Sequence, residues 1–132
     1  MDFSLTLAVS DLQRTENFYR EILQLSPRWG QTRAGLADFL LLCCQQTCIV
    51  FRQLSDLEAR HPALLQNLDR HPLGVGVQLE FACSDLSGIR RNLKRHRWPV
   101  NYELEDDEHH RSEIWLYDPD GYLLVLNEEG LS

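Results

Sequence analysis

The sequence predicts an α+β protein made of two βαβββ modules that face each other across a shared concave cleft. Three observations carry that expectation. Leu5-Thr6-Leu7-Ala8-Val9-Ser10-Asp11-Leu12 returns as Leu79-Glu80-Phe81-Ala82-Cys83-Ser84-Asp85-Leu86, an offset of 74 residues. Each copy alternates apolar and small or polar residues, as a half-buried strand does, then runs through Ser-Asp into a helix. Each half then continues with three further strand-like segments.

In the first half, residues 3–9 form the opening strand, with Leu5, Leu7 and Val9 on one face and Ser4, Thr6 and Ala8 on the other. Ser10 or Asp11 caps the helix that follows. That helix carries Leu12, Phe18 or Tyr19, Ile22 and Leu23 at helical spacing and ends before Pro27. Residues 28–34 suit a strand and Gly35 a turn. Leu36–Cys43 and Thr47–Arg52 read as a hairpin across Cys44–Gln46.

The linker spans 54–74, between a first module at 1–53 and a second at 75–132. Ser55 opens a short helix there, which Pro62 interrupts because proline lacks the backbone N–H a helix interior needs. In the second half, residues 76–83 place Val77, Leu79, Phe81 and Cys83 on one face and Gln78, Glu80 and Ala82 on the other. A helix runs from Ser84 or Asp85 to about His96, and 99–105 form a strand. Glu113–Tyr117 and Tyr122–Asn127 form a hairpin across Asp118-Pro119-Asp120-Gly121, whose residues each favour a tight turn.

Net charge is −7 and the pI is about 5.1, a balance that opposes nucleic acid or an anionic membrane as partner. The basic island Arg90–Arg97 reads as the exposed face and last turn of a helix, where positive charge complements the helix dipole. No apolar run reaches the roughly 20 residues of a membrane span. Met1-Asp2-Phe3-Ser4 lacks a basic region followed by an apolar one, so the expected location is the cytoplasm. Cys43, Cys44, Cys48 and Cys83 have no zinc-site spacing, and the expectation for them is free thiols packed as small apolar groups.

The order of elements, the two strand-to-helix junctions and the Asp-Pro-Asp-Gly turn resemble the vicinal oxygen chelate superfamily. Its members include glyoxalase I, extradiol dioxygenases, fosfomycin-resistance thiol transferases and bleomycin-resistance proteins. Leu5–Tyr19 and Ile114–Glu128 carry the resemblance most specifically. It implies curled mixed sheets, modules paired within a chain or across a homodimer, and a divalent metal in the concave face. Carried onto this sequence, the metal positions fall on Ser4, Val50, Gln78 and Val125. Only Gln78 among them could coordinate, and weakly, so no metal and no cofactor are expected.

Strand alternation gives the expected lining of the cleft. It comprises Thr6, Gln78, Glu80, Glu113, Trp115, Tyr117, Leu123, Val125 and Asn127, with Leu40, Leu42, Cys48, Val50 and Arg52 from the first half. Apolar walls with a few polar groups suit an organic ligand. Trp115 and Tyr117 could stack on a ring or cation, and Glu80 and Glu113 could pair with a cationic group. The expected function is therefore metal-free binding of a small organic, cationic or aromatic molecule. No catalytic residue is assigned.

Each of these side chains also has an ordinary explanation. Glu80 could pair with Arg52 or face water, Glu113 could be exposed, and Trp115 and Tyr117 could be packing between modules. The alternative function is a glyoxalase-like lyase, isomerase or transferase. It would use Glu80 or Glu113 as base, or a non-standard metal set such as Gln78, Glu80 and His109 or His110. A third reading is a partner protein whose cleft is filled by Leu40, Leu42, Val50, Leu123 and Val125. His109 and His110 beside Asp106, Asp107 and Glu108 read as a solvated loop before a metal site, and Asp118 and Asp120 as turn formers.

Overall fold

The computed structural model describes residues 1–31 and 38–129. Residues 32–34 of the expected second strand, the Gly35 turn and the Leu36 strand start lie outside them. The chain divides into two units, Met1–Leu73 and Gly74–Ser132.

The first unit opens with β1 (Leu5–Val9) and α1 (Leu12–Asn17). Asp11, rather than Ser10, caps α1: its carboxylate accepts the backbone N–H groups of Gln13 (2.9 Å) and Arg14 (3.3 Å). The helix widens into a π-helical stretch at Phe18–Ile22, where the N–H of Leu23 reaches back to the carbonyl of Phe18. The wider turn lets two adjacent rings share the apolar face. Phe18 and Tyr19 are therefore both buried, in edge-to-face contact at 5.1 Å, where helical spacing alone offered one or the other.

β2 (Arg28–Gln31), β3 (Asp38–Cys44) and β4 (Thr47–Gln53) complete a sheet of order β1-β4-β3-β2. β1 runs parallel to β4, and the other pairs are antiparallel. Two short helices follow, α2 (Leu54–Arg60) and α3 (Pro62–Leu65), then a 3-10 turn at Leu68–Arg70. Pro62 does not kink a continuous helix; it opens α3 at the position where its missing N–H costs nothing.

The second unit repeats the plan. β5 (Gln78–Ala82) leads to α4 (Leu86–Arg95), then β6 (Tyr102–Asp106), β7 (Arg111–Tyr117) and β8 (Leu123–Glu129). The sheet order is β5-β8-β7-β6, again with one parallel pair, β5 with β8. Both sheets are mixed and neither is closed, so the fold class is α+β as expected.

Each unit buries one sheet face under its helix. In the first, Leu7, Val9, Leu40, Leu42, Ile49 and Phe51 form that face, with the Tyr19 ring 5.2 Å from the Phe51 ring. In the second, Leu79, Ile114, Leu116, Leu124 and Leu126 pack with Leu86, Ile89 and Leu93 of α4. The β7–β8 turn is held by Asp118, whose buried carboxylate accepts the N–H groups of Asp120 (2.9 Å) and Tyr122 (3.0 Å). Its role is that of a turn former, as its place in Asp-Pro-Asp-Gly suggested.

Candidate ligand-binding site

The sheet face away from α4, called here the far face, is fixed by strand register. Glu80 pairs with Val125, Val125 with Trp115, and Trp115 with Tyr102. One row of the far face is therefore Glu80, Val125, Trp115 and Tyr102. The next row is Ala82, Asn127, Glu113 and Leu104, and Gln78, Leu123 and Tyr117 lie on the other side. Partners across a ladder share a face, so these assignments follow from pairing alone. Gln78, Glu80, Glu113, Trp115 and Tyr117 all lie on this one face of the second sheet.

The polar groups of this face are organised. Asn127 Nδ2 donates to Glu80 Oε1 at 2.7 Å. Trp115 Nε1 donates to Glu113 Oε1, two residues back on the same strand. The rings of Tyr102 and Trp115 meet edge to face, 6.1 Å apart and at 85°. Tyr102 and Tyr117 stay 52% and 47% exposed, which leaves their rings free for contact. Tyr102 is absent from the sequence-derived lining, although Tyr102-Glu103-Leu104-Glu105 alternates; its pairing with Trp115 sets it on this face.

The first unit has a corresponding face, away from α1. Thr6 pairs with Val50, Val50 with Leu41, and Leu41 with Arg28. Ala8 pairs with Arg52, and Gly30 with Phe39. The guanidinium of Arg52 lies 4.8 Å from the Phe39 ring centre. Partial burial, with the nearby Arg60 charge adding to it and Asp56 opposing it, moves the Arg52 pKa below its ordinary value.

Two expectations for this unit are corrected. Leu40 pairs with Phe51 and Leu42 with Ile49, so both belong to the helix-covered core, where they are 0% and 1% exposed. The far-face residues of β3 are Phe39, Leu41 and Cys43. The second correction concerns the thiols. Cys43 and Cys48 are joined in a disulfide, while Cys44 and Cys83 are free.

The four carried-over metal positions have a poor donor set. Ser4 precedes β1 and is exposed; Val50 and Val125 carry only alkyl groups; Gln78 offers one neutral amide. This set does not fit a divalent ion, which needs three good nitrogen, oxygen or sulfur donors. Among the described residues, no three His, Cys, Asp or Glu side chains gather as metal ligands would.

Other motifs have local roles. His109 Nδ1 lies 2.7 Å from Asp106 Oδ2 in the β6–β7 turn, where both the side chain and the backbone N–H of His109 hold the Asp106 carboxyl below its ordinary pKa. Arg90 pairs with Glu103 (3.0 Å) and Glu105 (3.4 Å), so part of the basic island is neutralised within a groove between α4 and β6. Trp98 Nε1 donates to the Tyr117 carbonyl (2.8 Å) and Trp29 Nε1 to Glu16 (2.5 Å), which ties each indole to its own unit.

The family model described as the Glyoxalase/Bleomycin resistance protein/Dioxygenase superfamily matches residues 3–126. No curated protein sequence matches significantly. Among solved structures, a member of that superfamily from Sphaerobacter thermophilus superposes with a TM-score of 0.64 at 16% identity, over 98% of each chain. A lactoylglutathione lyase from Agrobacterium tumefaciens gives 0.62 at 17% identity, over 97% of this chain and 92% of that one. The genomically encoded fosfomycin resistance protein FosX from Listeria monocytogenes gives 0.59 at 16%, over 99% and 94%. At such identities the likeness speaks for the fold alone.

Proposed function

Since this chain belongs to the Glyoxalase/Bleomycin resistance protein/Dioxygenase superfamily, we propose that it binds a small organic molecule, cationic or aromatic, without a metal. The observation that carries this reading is the far face of the second sheet. There Glu80, Glu113 and Asn127 stand beside Trp115, Tyr102 and Tyr117. Flat rings beside carboxylates suit a ligand that is both flat and positively charged, because ring face and carboxylate attract the same cation. The acidic net charge draws such a ligand in.

The absence of metal in this reading rests on the donor chemistry of Ser4, Val50, Gln78 and Val125. The reading also places the protein in the cytoplasm as a homodimer. The described residues contain no helix long and apolar enough to cross a membrane.

The test is a titration of the purified, untagged chain with a panel of cationic aromatic compounds, followed by tryptophan fluorescence. Saturable quenching that is lost in Trp115→Leu supports the reading. A flat response across the panel overturns it. Elemental analysis of the same untagged protein addresses the metal separately, and stoichiometric zinc, manganese, nickel or iron would overturn the metal-free part.

A further inference from the structure

We infer that Cys43 and Cys48 form a reversible dithiol–disulfide couple that exchanges with low-molecular-weight thiols, with Cys48 as the sulfur under attack. The two residues are direct partners in the β3–β4 ladder, with Cα atoms 4.1 Å apart, and they close a bond across only five positions of sequence. The intervening turn is Gln45-Gln46, with Gln45 in the left-handed region at φ +55°. Pairing of Leu40, Leu41 and Leu42 with Phe51, Val50 and Ile49 already sets the register of this hairpin. The two sulfurs therefore stay opposed whether or not they are bonded.

A structural disulfide works mainly by closing a long loop of unfolded chain. This one closes almost none, so its stabilising role is small. Its accessibility is uneven: Cys48 is exposed and Cys43 half-buried. An incoming thiolate reaches Cys48 first. The adjacent thiol does not compete. Cys44 lies on the opposite face, across from Thr47, and burial raises its pKa, which keeps it in the unreactive thiol form.

A thiolate attacks the Cys48 sulfur, forms a mixed disulfide there and expels the Cys43 thiolate, which takes up a proton. A second thiolate then attacks the small-molecule sulfur of that mixed disulfide, and Cys48 leaves as thiolate. The net change is one protein disulfide and two small thiols converted to two protein thiols and one small disulfide. Two electrons pass to the protein, and an oxidised low-molecular-weight disulfide drives the reverse direction.

The test equilibrates the full chain in mixtures of reduced and oxidised glutathione, quenches in acid, and alkylates with N-ethylmaleimide in denaturant at neutral pH, where burial protects no thiol. Cys43, Cys44 and Cys48 lie between Arg33 and Arg52, so fragment-ion mass spectrometry must assign each site. The expected result is a single two-electron transition in which Cys43 and Cys48 become alkylatable together, while Cys44 and Cys83 are alkylated throughout. In brief exposure to oxidised glutathione, before equilibrium, Cys43→Ser should take up glutathione on Cys48 about tenfold faster than Cys48→Ser takes it up on Cys43, since access governs the exchange rate. If either variant fails to fold by circular dichroism, the wild-type transition decides alone. A bond that stays closed in excess reduced glutathione would overturn the inference, as would thiols that stay open in oxidised glutathione. Glutathione lodged mainly on Cys43, Cys44 or Cys83 would also overturn it.

Discussion

Asn127 and Glu80, 47 residues apart in sequence, are joined by a 2.7 Å hydrogen bond across the parallel β5–β8 pair of the second sheet. The amide fixes one carboxylate oxygen of Glu80 and leaves the other free to meet a ligand. An amide in this place neutralises nothing, so the negative charge survives on the face that carries Trp115. Glu80→Gln keeps the shape and removes the charge. Affinity for a cationic aromatic probe should fall about fivefold, the effect of roughly 1 kcal/mol. Affinity for its neutral isostere should not change. Calorimetric titration of both probes checks this, and equal losses for the two would remove charge from the account.

Gly30 stands directly across from Phe39, and any side chain there would run into the ring. The missing side chain leaves room for the far edge of the ring beside β2, and the ring also meets the Arg52 guanidinium at 4.8 Å. Gly30→Val should cost about 1–3 kcal/mol, as overpacking does. A lower urea midpoint with an unchanged slope would report it. Adding Phe39→Leu to that variant should cost less than the same change in the wild type, because the two residues share one volume. Strict additivity would show that the ring had room to move.

Glu128 faces the other way from its neighbour Asn127. Its carboxylate accepts the backbone N–H of Leu86 at 2.6 Å, so a strand side chain caps the start of α4 beside Asp85, which accepts the Gly88 N–H at 3.0 Å. The first N–H groups of a helix have no partner within it, and negative charge there also suits the dipole. Glu128→Ala should lower stability by about 1–2 kcal/mol. Glu128→Gln retains the acceptor and should cost less than half as much. Chemical denaturation gives the energies, and faster hydrogen exchange at Leu86 in the alanine variant gives the site.

Much of this was legible in sequence, and the failures have one physical origin. The second unit alternates cleanly: Glu113-Ile114-Trp115-Leu116-Tyr117 declares its two faces without help. In the first unit, Phe39-Leu40-Leu41-Leu42-Cys43 is apolar throughout, so periodicity carries no phase there. Facing then depends on the turn. A three-residue turn at Cys44–Gln46 would pair Cys43 with Thr47 and set Leu40 and Leu42 on the face of Val50. The observed turn has two residues and pairs Cys44 with Thr47. That one-residue difference exchanges the faces of the whole strand. It sends Leu40 and Leu42 into the core, brings out Phe39 and Leu41, and sets Cys43 opposite Cys48. The mistaken phase and the missed disulfide are thus a single error. The links from Asn127 to Glu80 and from Glu128 to Leu86 join distant stretches of chain, and no local pattern announces them.

The β6–β7 turn offers a pH test confined to one side chain. The His109 ring bonds the Asp106 carboxylate at 2.7 Å, and the His109 backbone N–H adds a second bond at 3.2 Å. Both favour the charged form, so the Asp106 pKa lies below its ordinary value. The turn's extra stability is fully present above the ordinary aspartate pKa, and it is lost as pH falls through the lower folded value. Carboxyl-carbon NMR should show Asp106 titrating below the ordinary aspartate range. His109→Ala should move that midpoint upward toward the ordinary value. The urea midpoint at neutral pH should barely change, because the turn faces solvent. An Asp106 midpoint identical in wild type and His109→Ala would show that the ring does not hold the carboxylate in solution. The local order of the turn would then rest on the backbone bond alone.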